Sequence, residues 1–406
     1  MRIALVFVAI GILLFLYTYV GWRVLSPFTL LQPWKMLVWA GIWIMALLPL
    51  VLIAMRFSQV ETTANDMVSW MAYLSLGFVS ILFFFLLAKD LIVAVSFVAG
   101  KVYVLFQSGS PETVVGNVLD QSGESRRQML WSSVNLAVLG LSGIMTGCGV
   151  VLARYQIKIE RVTIPLKGLP QAFEGLRIVQ ISDIHVGPTI KAGFVREVVS
   201  RVNALQPDMI ALTGDLVDGS VDYLANDVAS LSELTAPGGK FFVTGNHEYY
   251  SGVYPWLKKV TELGFDVLTN EHRIIEKDGE RLILGGVTDL SAGQMVPEHR
   301  SDPAGSLAGA PEAGARILLA HQPISVYKAA EAGYDLQLSG HTHGGQYFPY
   351  SKLIAVAQPF VAGLYNHKGT QLYVNRGTGY WGPPIRLGSP AEITEITLTR
   401  QEVEEV

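Results

Sequence analysis

Residues 209–219 read MIALTGDLVDG, an apolar run that ends in a glycine followed by an aspartate. The run has the length and composition of a buried strand, and the Gly214-Asp215 turn ends it. Four further runs end in the same way, directly before polar turns: residues 176–181, 241–243, 317–319 and 336–338. Because strand ends in α/β sheets converge on one crevice, we expect the five following turns to meet.

The five turns carry side chains that bind metal ions in proteins. They read Asp183-Ile184-His185, Gly214-Asp215, Gly245-Asn246-His247-Glu248, His321 and Gly340-His341-Thr342-His343. Carboxylate, imidazole and amide oxygen together suit Mn²⁺, Zn²⁺ or Fe, without selecting one of them. Two such cations about 4 Å apart turn a bridging water into a nucleophile near pH 7 and hold the oxygens of a phosphoryl group.

Other histidines and the neighbouring glycines have different predicted roles. Three histidines have no ligand spacing around them, and we expect ordinary polar residues there: His272, His299 and His367. The glycines that adjoin the ligands should allow close backbone approach and positive φ at their turns. They are Gly214, Gly245 and Gly340.

The order of the five turns resembles the pattern of the calcineurin-like metallophosphoesterase superfamily, D-x-H, G-D, G-N-H-[ED], H and G-H-x-H. The resemblance covers about residues 170–398 and includes 212–219, 340–346 and 375–379. These details are similar to a subgroup that contains membrane-attached phosphoesterases and some UDP-diacylglucosamine pyrophosphatases. The resemblance implies a metal-dependent hydrolase of a phosphomonoester, phosphodiester or pyrophosphate.

The resemblance also implies a role for each residue. The residues implied to bind a first metal ion are Asp183, His185 and His343. Those implied to bind a second are Asn246, His321 and His341. Asp215 would bridge both ions, and His247 would stand by the scissile group as an acid or charge stabiliser without touching metal. We expect the neighbouring Glu248 and Asp218 to orient imidazoles or turns rather than to be catalytic.

Strand–helix alternation followed by strand pairs predicts an α/β fold with two mixed sheets and helices outside. The predicted helices are 191–205, about 223–234 and about 254–263, and the predicted later strands are 273–276, 281–286, 372–375 and 393–398. Residues 291–314, rich in Ala, Gly and Pro, are predicted to be a surface loop. The family resemblance implies the same four-layer α/β/β/α sandwich.

The N-terminal part of the 406-residue chain has a different composition. Four stretches there are long and apolar enough to span a bilayer: about 3–22, 34–55, 68–88 and 131–152. The first begins like a signal peptide but has no convincing small-residue cleavage site, so we expect a retained anchor. Residues 91–106 are short for a span and contain Lys101; they either continue the third helix or lie at the interface.

These patterns divide the chain into three parts. We predict a transmembrane helical region over 1–152, a linker and lead-in strand over 153–175, and a metallophosphoesterase domain over 176–406. The net charge of −4 gives no basic surface for nucleic acid. The single cysteine, Cys148, excludes internal disulfides.

The side of the membrane on which the enzyme lies depends on the fourth span. Residues 125–130 read SRRQML and resemble a twin-arginine export signal, with Met129 where phenylalanine is usual. Alternatively, Arg126 and Arg127 anchor a helix end on the cytoplasmic face. Both interpretations place the catalytic domain outside the cytoplasm, whereas a fifth span would reverse this.

Aromatic residues follow the last predicted ligand turn: Tyr347, Phe348, Tyr350, Phe360 and Tyr365, with Trp381 in a later loop. They either fill a core beneath the loop or form an apolar rim that admits an acyl or prenyl chain.

The sequence therefore predicts a multi-pass cell-membrane protein whose binuclear-metal phosphoesterase acts on a phosphorylated substrate, and lipid-linked substrates are among the candidates. Membrane lipid is the expected partner of the helical region. One rival is a tethered hydrolase of soluble nucleotides. Another is a sensor or scaffold whose catalytic domain has decayed, which the presence of every expected ligand disfavours.

Overall fold

The computed structural model of the protein describes residues 2–28, 30–58, 61–106 and 121–401. The chain forms two compact units. One comprises Met1–Val60 and Met67–Cys148, and the other comprises Glu61–Asp66 and Gly149–Val406.

Long apolar helices make up the first unit. In the described residues they are α1 (Arg2–Leu25), α2 (Gln32–Ser58), α3 (Thr63–Phe106) and α4 (Gln121–Tyr155). All four are long and apolar enough to cross a membrane, and each contains one of the predicted spans. Residues 91–106 continue α3, which confirms one of the two interpretations of that segment. Arg126 and Arg127 fall in a stretch of α4 whose side chains lie outside the described part of the structure.

The second unit contains two six-stranded sheets. Its strands are β1 (Ile157–Leu166), β2 (Arg177–Ile181), β3 (Met209–Leu212), β4 (Lys240–Phe242), β5 (Asp266–Val267), β6 (Glu271–Lys277), β7 (Glu280–Gly286), β8 (Ala315–Leu319), β9 (Leu336–Ser339), β10 (Gly363–His367), β11 (Thr370–Val374) and β12 (Ala391–Arg400). The first sheet has the order β1-β12-β2-β3-β4-β5, and the second has the order β10-β11-β9-β8-β7-β6. Both are mixed, as predicted: β2 to β5 run parallel, whereas β12 pairs with β2 antiparallel.

Helices cover the outer faces of both sheets. They are α5 (Ala192–Ala204), α6 (Val221–Val228) and α8 (Val253–Glu262) on the first sheet and α9 (Val326–Ala332) on the second. Two further helices follow polar turns: α7 (Asn246–Tyr250) after β4, and α10 (Tyr350–Ala357) after the turn that follows β9. The alternation of side chains along β2 shows the layering, since Ile178 belongs to the core between the sheets while Val179 and Ile181 pack against helices. On the far side, Leu318 of β8 packs against Ala329 of α9. The predicted four-layer α/β/β/α sandwich is confirmed.

Strand ends determine where the polar turns meet. The five apolar runs are strands β2, β3, β4, β8 and β9, within one or two residues of the predicted bounds. Each leads directly into one of the polar turns. Residues 291–314 are a loop with short 3-10 turns, held to β6 where His272 Nδ1 donates to the carbonyl oxygen of Ser306 at 2.8 Å.

Candidate metal centre

The eight residues predicted for the site come together at the strand ends. Asp183 and His185 follow β2, Asp215 follows β3, Asn246 and His247 follow β4, His321 follows β8, and His341 and His343 follow β9. All are buried except His341, which is half-buried. The three other histidines lie elsewhere, in contacts with Ser306, Tyr249 and Tyr327.

One group of potential ligands consists of Asp183, His185 and His343. The Nε2 atoms of the two histidines are 3.1 Å apart. Asp183 Oδ1 lies 3.5 Å from Nε2 of His343 and 4.0 Å from Nε2 of His185. Because these three ligand atoms lie within 4.8 Å of one another, the group could hold a metal ion.

A second group consists of Asp215, His321 and His341. Asp215 Oδ2 is 3.1 Å from Nε2 of His321, which in turn is 3.2 Å from Nδ1 of His341. The Nδ1 atom of His321 donates to the carbonyl oxygen of Thr213 at 2.8 Å. That hydrogen bond sets the tautomer and turns Nε2 toward the group, as partners of metal-binding histidines commonly do. This group could also hold a metal ion.

Asp215 stands between the two groups. Its Oδ2 atom, which faces His321, is also 3.8 Å from Nε2 of His185 in the first group. Its Oδ1 atom accepts the backbone N–H of His247 at 2.9 Å. Burial alone would raise the pKa of Asp215, yet His321 and His247 hold it well below its ordinary value. The carboxylate is therefore ionised and turned toward both groups.

The amide oxygen of Asn246 tests whether the site suits a cation. It is buried and has no hydrogen-bond partner among the described residues. A buried acceptor without a donor costs about 1–3 kcal/mol, so such atoms are rare in folded proteins. A cation at this point would remove that cost. Together with the carboxylates and imidazoles, the donor set fits a divalent metal.

His247 is held differently from the other histidines. Its Nδ1 contacts Asp218 Oδ1, and its Nε2 lies 3.9 Å from Asp215 Oδ2. Burial lowers the pKa of His247, but the carboxylates of Asp218 and Asp215 outweigh it and raise the pKa to about 9. The ring lies near enough to His185 and Asp215 to count as a further potential ligand. A protonated ring has no lone pair for a metal, however, and can instead donate a proton.

Asp218 and Glu248 hold the surrounding turns in place. Asp218 Oδ2 is 3.3 Å from Nδ1 of His185, so this carboxylate contacts two of the imidazoles. Glu248 accepts three backbone N–H groups, from Gly245 at 2.6 Å, Leu216 at 2.8 Å and Asp215 at 3.0 Å. These contacts agree with the predicted orienting role of both residues.

The backbone at the site departs from the sequence expectation. Positive φ was expected at three glycines, but only Gly214 has it, at 87°, while Gly245 has a φ of −95°. The other two glycines provide space: a side chain on Gly245 would collide with the Asp215 carboxylate, and one on Gly340 with Asp183. Positive φ occurs instead in the potential ligands themselves, namely Asp183, His185, Asp215, His341 and His343.

Arg386 supports the first group, and sequence reasoning missed it. The side chain is only 1% exposed, and its guanidinium donates to the carbonyl oxygens of His343 and Arg376, each at 2.8 Å, and of Gly377 at 3.2 Å. Burial lowers the pKa of Arg386 to about 10, so it stays charged at neutral pH. A single arginine within the apolar Pro-Pro-Ile-Arg-Leu run at 383–387 was the available signal.

Exposed apolar side chains lie beside the centre. The ring of Trp381, 46% exposed, is 5.5 Å from the ring of His247. On α10, which follows the ligand turn, Leu353 and Val356 are 63% and 88% exposed. Phe360, by contrast, is half-buried and packs against a small core. Phe360 therefore agrees with the core interpretation, while the apolar rim for an acyl or prenyl chain stays a prediction.

Known proteins resemble this chain in sequence. A family model described as calcineurin-like phosphoesterase matches residues 176–345. A transmembrane protein with metallophosphoesterase domain from Danio rerio is 37% identical over 294 residues, which cover 70% of this chain and 67% of the relative. The protein of the same name from Bos taurus is 38% identical over 274 residues, which cover 65% of this chain and 62% of the relative. An uncharacterized metallophosphoesterase from Helicobacter pylori is 36% identical over 312 residues, covering 75% of this chain and 80% of the relative.

Proposed function

This chain belongs to the calcineurin-like metallophosphoesterase family, and we propose that it is a membrane-anchored phosphoester hydrolase with two divalent metal ions in one centre. The position of Asp215 carries the proposal, because one carboxylate oxygen faces both groups of potential ligands, at 3.1 Å from His321 and 3.8 Å from His185. A carboxylate so placed can bridge two cations.

The ligands divide between the two ions as the family pattern implies. Asp183, His185 and His343 would hold the first ion. Asn246, His321 and His341 would hold the second, and Asp215 would bridge both. When bound, the two cations would supply a nucleophile from water near neutral pH and would take up charge on the phosphoryl oxygens.

His247 would act on the leaving group. Its raised pKa keeps the ring protonated at neutral pH, so it can donate a proton to the departing oxygen. The contact between its Nδ1 and Asp218 fixes the ring and leaves Nε2 facing the centre. Asp218 would thus orient the acid and stabilise its charge without touching substrate.

The parts of the chain would have separate tasks. We propose that residues 1–152 anchor the protein in the membrane and that residues 176–406 form the catalytic domain. Residues 153–175 would connect these two parts. The connecting segment contributes β1, whose residues pair with β12 from Ile157 to Leu166. With four spans and arginines 126 and 127 on the cytoplasmic side, the catalytic domain would lie outside the cytoplasm.

A lipid-linked phosphoester is the proposed substrate class. The exposed apolar side chains of Trp381, Leu353 and Val356 support this, because the ring of Trp381 lies 5.5 Å from that of His247 and α10 follows the turn that bears His343. An apolar patch next to a polar catalytic centre matches a substrate with a charged head and a hydrocarbon chain. A soluble nucleotide would make no use of α10.

Substrate turnover by the purified full-length protein tests the proposal. We expect hydrolysis of bis-p-nitrophenyl phosphate that a chelator abolishes and that added Mn²⁺, Zn²⁺ or Fe²⁺ restores. We also expect faster turnover of a lipid-linked pyrophosphate in mixed micelles than of a soluble nucleoside diphosphate. Absence of turnover with every metal would favour the decayed sensor or scaffold, and preference for the nucleotide would favour the tethered soluble-substrate enzyme.

A further inference from the structure

The segment Glu61–Asp66 links α2 to the first turn of α3, yet it belongs to the same compact unit as the catalytic domain. The Glu61 carboxylate accepts the backbone N–H of Ser220, at 3.0 Å to Oε1 and 3.3 Å to Oε2, and also contacts the Ser220 hydroxyl. A side chain on Gly219 would collide with Glu61. The carboxylate therefore fits closely against the turn that begins α6, where a negative charge is favourable.

Asp66 makes a second contact with the same unit. Its Oδ2 atom accepts the Tyr223 hydroxyl at 2.7 Å and lies 3.1 Å from Nζ of Lys191. The Lys191 ammonium stands 4.3 Å from the centre of the Tyr223 ring and 3.6 Å from Asp227. Asp66 thus contacts both Tyr223, near the start of α6, and Lys191, the residue just before α5.

The contacts of Glu61 with Ser220 and of Asp66 with Lys191 reach two loops that carry residues of the metal centre. Ser220 is two residues beyond Asp218, which contacts His247 and His185. The carbonyl oxygen of Gly219 accepts the indole N–H of the buried Trp256 at 2.8 Å, so Trp256 and Glu61 both hold this turn. Lys191 ends the loop of residues 182–191, which carries Asp183 and His185. The segment therefore contacts two loops of the centre, residues 182–191 and 213–220, and the second of these carries Asp218.

We propose that Glu61 and Asp66 are positioning residues of the phosphoesterase. The segment Glu61–Asp66, which lies between two candidate membrane spans, would then contribute to catalysis. The inference rests on the proposed function, since Glu61 would act through Ser220 and Asp218 on His247. Residues 63–66 of this segment form the first turn of α3. The loop between these spans then lies on the same side of the membrane as the catalytic domain.

A crosslinking experiment tests the contact without relying on turnover. In the full-length protein with Cys148→Ser, the pair Glu61→Cys and Ser220→Cys should be joined by a short bis-maleimide reagent, and mass spectrometry of tryptic peptides should show the linked peptides. Each single cysteine variant is the control. Failure of the pair to crosslink in folded protein would overturn the proposal.

Kinetics test the positioning role. We expect Glu61→Ala to lower kcat on bis-p-nitrophenyl phosphate about tenfold or more, the usual scale for a lost orienting partner, with KM and metal content unchanged. Glu61→Gln should recover most of the loss, because its amide oxygen still accepts from Ser220. Glu262→Ala, at an exposed acid of α8, should match the wild type.

The outcomes separate the two proposals. A Glu61→Ala variant with the kcat of the wild type would overturn the positioning role while leaving the phosphoesterase intact. A fall in kcat that Glu61→Gln does not relieve, accompanied by metal loss, would show a structural role instead. A wild type without turnover would overturn the proposed function and the positioning role together, while the crosslink would still report on the contact.

Discussion

The proposed ligands are held in costly backbone conformations. Asp183, His185, Asp215, His341 and His343 all have φ between 51° and 73°, a region that residues with side chains rarely occupy. Each such residue costs about 1–2 kcal/mol relative to the ordinary conformation. Strain of this kind persists where the surroundings force it, and it concentrates at functional sites. Here Glu248 and Arg386 supply many of the hydrogen bonds that hold the turns.

Replacement of Arg386 tests that support. Among the described residues, Arg386 is the donor to the carbonyl oxygens of Arg376 and Gly379, and Arg386→Met leaves both without it. Unpaired buried carbonyl groups cost about 1–3 kcal/mol each, so we expect a free energy of unfolding lower by about 3 kcal/mol or more. The free energy of unfolding of Arg386→Lys should lie between those of the wild type and Arg386→Met, because an ammonium keeps the charge but cannot reach the same set of oxygens.

Thermal unfolding of the detergent-solubilised variants, followed by fluorescence, would measure the effect. Arg281→Met is the control, because Arg281 is half exposed and pairs with Glu276 across β6 and β7. Equal melting temperatures for the Arg386→Met and Arg281→Met variants would contradict the role given to Arg386.

Metal affinity should depend on pH through His321. Burial lowers the pKa of this ring, but Asp215 outweighs it and raises the pKa well above the ordinary value. The metal-free ring therefore carries a proton at pH 7, which a metal ion must displace. As pH rises toward the raised pKa, the proton is lost more easily, so the half-saturating metal concentration should fall about tenfold per pH unit for each proton displaced.

Calorimetric titration with Mn²⁺ between pH 6 and 8, in buffers of different ionisation enthalpy, would count the protons released. An affinity that stays constant over this range would contradict the protonated state of His321.

At the scale of elements, each part of the centre sits on a strand end, and α10 extends it with an apolar surface. Replacing Leu353 and Val356 together by glutamine should leave turnover of bis-p-nitrophenyl phosphate unchanged, because neither side chain touches the proposed ligands. Turnover of a lipid-linked pyrophosphate in mixed micelles should fall several-fold, since apolar contact worth about 25 cal/mol per Å² is lost.

The control is Ile274→Gln, at an exposed apolar residue on β6. An equal rate on the lipid substrate for the double variant and this control would exclude α10 from substrate binding.

The sequence was informative about the strand ends because the signal there is local. A short apolar run followed by Gly214-Asp215 or Asn246-His247 specifies a strand, a turn and a ligand within a few residues. The pairing of β1 with β12, residues 157–166 with 391–400, has no local signal, because the partners meet only in the folded sheet. The role of Arg386 was hidden for the same reason, since its acceptors come from turns that only folding brings together.

At the scale of the whole molecule, the orientation in the membrane decides which substrates are reachable. We expect the catalytic domain outside the cytoplasm, so protease added to intact spheroplasts of a bacterial host should digest it while cytoplasmic markers survive. Arg126→Lys with Arg127→Lys keeps the charge and should reduce export only if the twin-arginine route is used. Digestion of the domain only after lysis would contradict the outward orientation.

We propose a two-metal centre bridged by Asp215, with His247 as the acid beside it. Elemental analysis and turnover of three proteins test it most directly: the wild type, Asp215→Asn and His247→Asn. We predict two divalent ions per chain in the wild type and in His247→Asn, with turnover of the latter lower by about 10²-fold, the scale for losing an acid–base group. Asp215→Asn should lose both ions together with turnover, because a neutral amide bridges cations poorly. A fully loaded Asp215→Asn protein, or a metal-free His247→Asn protein, would contradict the assignment.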